Sequence, residues 1–497
     1  MTLKGLCHFN NPPKTGIVFK SLYLCSMHKI STSMQPDPAE IGAMVDQMRA
    51  YFDNGRTLDI AIRKSRLIAL AAAIEKYKAD ICAAAYDDFH KPEAEVLLTE
   101  VYPVLAEIKH TVSKLSSWAR PTRVKTNLLL VPSSSRIHHS PKGMVVIFAP
   151  WNYSFWLSMM PFVSAIGAGN VVVLKPAHET PAISSMIQKI ISEVFDPNHA
   201  SVILGEGALA GSLLLDHFVW DHIFFTGSAR VGKWIMEKAA QNLSAVTLEL
   251  GGKSPAILDD HYNLKKAARK IMWGKIINAG QTCVSSDYVL VPKHRVEAFT
   301  AACIEQIQAL VGENALESEQ YSHIINTERF DRLISLLQGQ QILFGGKYNR
   351  DSRCIEPTLI LPSSLDAPVM SEEIFGPILP IVAYENKEQL LEIIRKNRYP
   401  LSLYLFVDDS SLSSFILERV EFGSGCFNNT IYQLGNPNLP FGGIRSSGQG
   451  TYHGRTGFET FSNNKSVLHS PKWFDLDLLY QPYTKAKLRI IKWFFMN

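Results

Sequence analysis

The sequence has no apolar run long enough to cross a bilayer, no Cys-x-x-Cys pair, no strong excess of either charge and no complete Gly-x-Gly-x-x-Gly fingerprint. Each absence excludes something. Without about 18 consecutive apolar residues a spanning helix is not expected. The seven cysteines (Cys7, Cys25, Cys82, Cys283, Cys303, Cys354, Cys426) are scattered and odd in number. That argues against a disulfide framework and a zinc site, and for a reducing, cytoplasmic setting. Fifty Lys and Arg against 46 Asp and Glu leave a formal charge of only +4, too small to draw nucleic acid as a partner. What is present is ordinary globular material: 46% hydrophobic and 19% charged residues in a chain of 497. That composition can fold, and the length suggests about two to four domains.

The basic excess sits at the ends, so the body between them is mildly acidic. Residues 1–33 hold four lysines and no acid, and residues 471–497 hold five basic residues against two acidic. The first segment lacks the unbroken apolar stretch and small-residue cleavage site of a secretory signal. It reads as a disordered extension over 1–34, with Met34 a candidate start and a targeting peptide the alternative. The last, Lys485–Met496 (KAKLRIIKWFFM), is basic and apolar together. It can lie on a membrane surface as a short amphipathic helix or pack back on the body.

From about residue 144 short apolar runs alternate with helical stretches. Met144–Ala149, Val171–Leu174, Ser201–Leu204, His222–Phe225 and Ala245–Leu250 read as buried strands, with Pro181–Phe195 among the helices between them. Buried strands separated by helices imply a parallel sheet covered on both faces, a doubly wound α/β dinucleotide-type domain. Residues 40–118 read as helical, and Pro121–Pro141 as an extended β excursion suited to subunit contact. A second alternating series, from Ala256 to about Asn428, includes Asp287–Val291, Leu359–Leu361 and Leu401–Val407 and reads as a second α/β domain.

Several positions could carry chemistry. Gly205-Glu-Gly207 after a strand only approaches the dinucleotide fingerprint, and Gly167-Ala-Gly169 suits a helix cap. Thr226-Gly-Ser-Ala-Arg-Val-Gly232 follows a strand and opens a helix, a reasonable cradle for pyrophosphate or simply a connection. Cys283 lies in a polar, glycine-containing break, as a small core residue or a nucleophile. Glu249 ends a buried strand, where a carboxylate is costly unless paired, for instance with Lys253, or raised toward general-base range. Asn152 follows a strand's carboxyl end, where its amide could donate to an oxyanion or merely fill a turn.

Together these segments resemble the aldehyde dehydrogenase superfamily. The matching stretches are Pro150–Tyr153 (PWNY), Ala168–Pro176 (AGNVVVLKP), Phe225–Gly232 (FTGSARVG), Leu248–Pro255 (LELGGKSP) and Gly280–Cys283 (GQTC). Glu372–Pro377 (EEIFGP), Leu439–Gly443 (LPFGG) and Ser447–Gly454 (SGQGTYHG) continue in the family's order. TYHG followed by FETFS, with YQPY in the tail, points to the class 3 branch acting on fatty and aromatic aldehydes. The resemblance covers roughly residues 40–483.

The resemblance implies NAD(P)+-dependent oxidation of an apolar aldehyde to a carboxylic acid. Cys283 would attack as thiolate, Asn152 and the Cys283 N–H would hold the oxyanion, and Glu249 would activate water against the thioester. Lys175 and Glu373 would meet ribose hydroxyls, Phe375 the nicotinamide ribose, and Gly227–Gly232 the pyrophosphate, with Trp151, Ser228 and Val231 counted among the cofactor contacts. Tyr153 and Trp273, with Trp156, are candidates for an apolar tunnel. Many relatives carry an acid three positions after the lysine, but here His178 stands there with Glu179 beside it. Loss of that charge implies tolerance of NADP as well as NAD. No metal is expected. The alternatives are a CoA-acylating enzyme, against which Glu249 speaks, and a non-catalytic cofactor-binding relative, against which the intact Asn152, Glu249 and Cys283 speak.

The expected organisation is a cofactor domain over 35–120 and 142–248, a catalytic domain over 249–445, an oligomerisation arm from 121–141 and 446–470, and a basic-apolar tail over 471–497. The arm implies a homodimer. Class 3 relatives often end in a membrane anchor; the absence of a span here implies at most weak contact of the tail with a membrane surface.

Overall fold

A computed structural model describes residues 37–408 and 410–496. The extension over 1–34 lies outside the described residues. Asp37 and Asp59 accept hydrogen bonds from the N–H groups of Ala39 and Ala61, at 2.9 and 2.7 Å, and open the helices Pro38–Asp53 and Ile60–Lys76. First-turn N–H groups have no partner within a helix, which is why an aspartate is favoured there. Helices Lys78–Phe89 and Tyr102–Trp118 follow, and between them Glu93–Val96 runs into a π-helical turn, Leu97–Val101. Such turns are found mostly where a side chain is put to use, and this one buries Glu100 completely.

The apolar runs form strands Met144–Phe148, Val171–Lys175, Ala200–Val202, His222–Thr226 and Ala245–Glu249, paired in parallel. Their ends differ from the sequence reading by a residue or two, because the last hydrogen-bonded pair and the last apolar residue need not coincide. Val171–Lys175 flanks Met144–Phe148 on one side and His222–Thr226 on the other. The chain therefore builds outward in one direction, crosses back and builds in the other. That reversal opens a crevice at the carboxyl ends of Met144–Phe148 and His222–Thr226, where doubly wound sheets bind ligands. Helix Ser154–Ala168, buried along its whole length, covers one face and ends on Gly169 in the left-handed conformation (φ 96°), as its place in the sequence suggested.

A second sheet of seven strands runs in the order Gln341–Phe344, Thr358–Leu361, Ile378–Tyr384, Tyr288–Pro292, Pro255–Leu258, Ser402–Phe406, Ser424–Phe427. Only its first pair is antiparallel. It carries its own core, including Tyr288, Phe299 and Tyr404. Ile378–Tyr384, a strand not named from the sequence, runs through Pro380 within that second series.

Ser134–Pro141 lies between Thr122–Val124 and Ser462–His469 in a separate antiparallel sheet. The segment 446–470 divides: Ser462–His469 joins this sheet, whereas Gly448–Gln449 pairs with Ala245–Glu249 at the edge of the first sheet. Lys485–Met496 is a helix; Leu488, Ile490 and Trp493 on it are exposed, and Lys487 Nζ donates to the carbonyls of Asp477 and Tyr480. Among the described residues no helix is long and apolar enough to cross a membrane.

Candidate active site

Three strand ends of the first sheet meet at the crevice: Pro150–Trp151–Asn152, Thr226–Gly227–Ser228 and Glu249–Leu250–Gly251. The opposite wall comes from the second sheet's side, through the loop ending at Cys283 and the loop carrying Glu373 and Phe375. Between them lies a cavity of about 280 Å³ whose lining includes Asn152, Glu249, Cys283, Glu373, Phe375 and Tyr452. Beside it lies a cleft of about 600 Å³ bounded by Trp151, Lys175, His178, Gly227, Ser228 and Val231. Pro150, Trp151, Thr226, Gly227, Ser228 and Arg329 border both, so the two spaces adjoin.

Cys283 is half-buried and follows a strained turn in which Asn278 and Ala279 hold φ of 51° and 50°. Non-glycine residues stay in that region only when their surroundings dictate it. Here Asn278 N–H donates to Glu95 Oε1 at 2.7 Å, and Gln281 Nε2 donates to the carbonyls of Asn278 and His323, each at 3.0 Å. Asn152 is 3% exposed, and its amide donates to the Gln281 carbonyl at 3.1 Å. An amide carries two N–H donors, so one remains for a ligand in the cavity.

Glu249 is the last residue of its strand and 2% exposed, and neither of its carboxyl oxygens has a hydrogen-bond partner. The ion pair with Lys253 suggested by the sequence does not form. Lys253 turns instead to Asp287, at 2.6 Å, and to the carbonyls of Val369 and Glu372. A loop that leaves the sheet at Gly251 sends the lysine toward the second sheet and leaves the carboxyl facing the cavity. Burial alone lifts Glu249 well above the usual carboxylate range. Burial, and then the Glu373 and Glu249 carboxyls, push up the Cys283 thiol. Glu373 is raised to about 8, chiefly by burial and then by Asp287. Two carboxyls and a thiol thus face one small space, where the carboxyls disfavour the thiolate.

The larger cleft fits a dinucleotide. Ser228 accepts from Val231 N–H at 3.4 Å and caps helix Ala229–Gln241, whose first turn borders the cleft; a helix start is a ready anion site. Lys175 is 3% exposed, donates to the Pro176 carbonyl at 2.8 Å, and is lowered to about 8 by burial. Glu373 Oε1 has no partner. Gly251 keeps the space for that carboxyl: a Cβ there would overlap Glu373 Oε2. His178 Nδ1 lies 3.1 Å from Glu179 Oε2, so a carboxylate does stand beside the histidine. Gly232 does not line the cleft; it packs beneath Leu250.

Two of the expected aromatics do not stand on the wall of this cavity. Trp273 is absent from the cavity lining; its ring stands edge-on to Tyr432, 5.8 Å between centroids. Tyr153 does not line it either, and its hydroxyl is spent on Thr282 Oγ1 at 2.8 Å. Trp156 is buried, its ring centroid 6.0 Å from that of Tyr153. The apolar wall comes from Leu157, Leu401, Phe441 and Tyr452. Of these, Phe441 and Tyr452 sit inside the LPFGG and TYHG stretches, which could have drawn attention to them. Arg329, whose guanidinium lies 4.6 Å from the Trp151 ring centroid, carried no sequence signal.

The family model for the aldehyde dehydrogenase family matches residues 19–467. The 4,4'-diaponeurosporen-aldehyde dehydrogenase of Staphylococcus aureus is 41% identical over 451 residues, covering 90% of this chain and 98% of its own. A dimeric, NADP-preferring aldehyde dehydrogenase of Canis lupus familiaris is 36% identical, covering 87% and 95%. The solved substrate-bound state of Staphylococcus aureus AldH superposes with a TM-score of 0.89 at 40% identity, over 92% of this chain and 99% of that one. The chain belongs to the aldehyde dehydrogenase family. Its relatives include family 3 members from plants, a slime mould and mammals, the branch that the TYHG and YQPY stretches resemble.

Proposed function

We propose that the protein oxidises apolar aliphatic or aromatic aldehydes to carboxylic acids through a thioester on Cys283. The observation that carries this reading is that Asn152, Glu249 and Cys283 share one cavity that adjoins the cofactor cleft. The Cys283 thiolate adds to the aldehyde carbon, and the former carbonyl oxygen takes the negative charge. The remaining Asn152 N–H and the Cys283 backbone N–H receive that oxyanion. NAD+ or NADP+, which Lys175 and the Gly227–Val231 turn would hold in the cleft and Glu373 and Phe375 at the catalytic cavity, would supply the hydride acceptor and a positively charged ring. Glu249 then takes a proton from water as the oxygen attacks the thioester carbon. The carbon–sulfur bond breaks, the acid leaves, and Cys283 is regenerated. The unpartnered carboxyl of Glu249 suits this task and favours water over CoA as the acyl acceptor.

The cleft's charge supports use of both cofactors: Lys175, Arg230 and Arg329 line it together with the single carboxylate Glu179. Leu157, Phe441 and Tyr452 give the catalytic cavity the apolar wall that such aldehydes need. The arm sheet and the exposed Val124, Leu128, Leu130 and Val131 beside it support a homodimer. Five free cysteines among the described residues suit the cytoplasm, and the exposed basic-apolar helix Lys485–Met496 suits weak contact with a membrane surface.

The test is the rise in A340 with purified protein, hexanal or benzaldehyde, and NAD+ or NADP+, with Cys283→Ala as control. Cys283-dependent reduction of either cofactor is expected, with no consumption of CoA. Folded protein that binds cofactor but reduces none with either aldehyde would sink the reading.

A further inference from the structure

We propose that Lys91 and Glu100 are positioning residues for the Asn152 amide; the inference rests on the reading of Asn152 as oxyanion donor. Both side chains are wholly buried, with Lys91 Nζ 2.6 Å from Glu100 Oε1. Lys91 Nζ also donates to the Asn152 carbonyl at 3.4 Å, and Glu100 Oε2 accepts the Phe155 N–H at 3.0 Å. That N–H belongs to the first turn of helix Ser154–Ala168 and has no partner within the helix. The pair therefore grips the Asn152–Phe155 turn at both ends.

A second hold comes from across the crevice. Asn278 Nδ2 donates to the Asn152 carbonyl at 2.7 Å and to the Gln281 carbonyl at 3.0 Å. The Gln281 carbonyl is the group to which the Asn152 amide itself donates. With its carbonyl held by Lys91 and Asn278 and one amide N–H committed, Asn152 has little freedom left in where its second N–H points. Rotation of the Asn152 peptide would break both carbonyl contacts.

Stability alone is a weak reason for this arrangement. A buried ion pair is often replaced by apolar side chains at no loss, while removing one partner strands a charge. Glu100, moreover, reaches its place from a π-helical turn, a departure from regular helix that is found mostly at functional sites. Lys91 is tied to the same region a third way: its ammonium lies 4.4 Å from the Tyr153 ring centroid, and the Tyr153 hydroxyl meets Thr282, next to Cys283.

The experiment compares Lys91→Met, Lys91→Met/Glu100→Gln, Asn152→Ala and the triple variant in the full chain. The paired change removes both members of the ion pair, leaves only the neighbouring Glu95 without the cation that holds its carboxyl down, and keeps an oxygen for the Phe155 N–H, so it is the milder test of the fold beside the single variant. Readouts are circular dichroism, kcat and KM for hexanal with NAD+, and the rate at which iodoacetamide alkylates Cys283. The expected result for the neutral pair is a kcat lowered roughly ten- to hundredfold, with KM and the alkylation rate within about threefold of the parent. The triple variant is expected to be no slower than Asn152→Ala, because a residue acting only through Asn152 has nothing further to lose.

A neutral pair with parental kcat overturns the proposal. So does a triple variant slower than Asn152→Ala by the pair's full factor, or alkylation that falls in step with kcat. Failure of both Lys91 variants to fold would assign the pair to structure alone. Asn152→Ala with parental kcat would instead refute the oxyanion reading beneath the proposal, and is seen separately in the same set.

Discussion

Replacing Lys253 tests how the cofactor-side loop is held. Lys253 is 5% exposed and donates to Asp287 Oδ2 at 2.6 Å, to the Val369 carbonyl at 2.7 Å and to the Glu372 carbonyl at 2.9 Å. Lys253→Met would leave the buried Asp287 without its closest cation, a change that costs about 3–5 kcal/mol in buried pairs. Two groups offset part of this. Ile374 N–H donates to Asp287 at 3.1 Å, and Lys275 Nζ lies 3.9 Å away, so the low end, about 3 kcal/mol, is expected. Asp287→Asn should be worse, since it leaves two buried ammonium groups with only the more distant Glu373 carboxyl as counter-charge. Lys275 already titrates near 8 because of burial. At roughly 2 cal/mol/K per residue, 3 kcal/mol lowers Tm by about 3 °C if the whole chain melts together. The drop is about 8 °C if the unit around the seven-stranded sheet melts alone. Scanning calorimetry reads the shift, and NADH fluorescence titration should show weaker cofactor binding as the Glu372–Phe375 loop loosens. Unchanged Tm in both variants, or Lys253→Met proving the more harmful, would refute the argument.

Gly251→Ala should push the Glu373 carboxyl aside, raising KM for NAD+ about tenfold, or about 1.4 kcal/mol, with a smaller change in the aldehyde KM. Burial raises both Glu249 and Cys283, and in the proposed mechanism each works in its deprotonated form, so kcat/KM should climb as pH rises from about 6 to 9; a flat profile would contradict this. His178→Glu should lower kcat/KM for NADP+ by about tenfold or more while sparing NAD+, because a second carboxylate would oppose the 2′-phosphate.

Much of the fold is visible in the sequence, for physical reasons. Parallel strands buried on both faces must be apolar throughout, so Met144–Phe148 and His222–Thr226 announce themselves. The three residues proposed for catalysis lie in short stretches of sequence next to strand ends, and all three line the cavity. What holds them was not legible. The pairing of Lys253 with Asp287 depends on two sheets meeting, and nothing local distinguishes it from a pairing with Glu249. Trp273 is not on this cavity's wall, because closeness in sequence to Cys283 says nothing about which way a helix turns its face. Lys91, Glu100 and Asn278 look like ordinary polar residues until the fold removes them from water.

The short strand Gly448–Gln449 gives the molecule a mechanical link. It clips onto the edge of Ala245–Glu249, with Gly448 opposite Glu249 itself, and the chain then runs through the helix Gly454–Thr460 into the arm strand Ser462–His469. One continuous stretch of chain thus joins the arm strand to the edge that backs Glu249, so the arm and the floor of the cavity are neighbours in construction although they belong to different sheets.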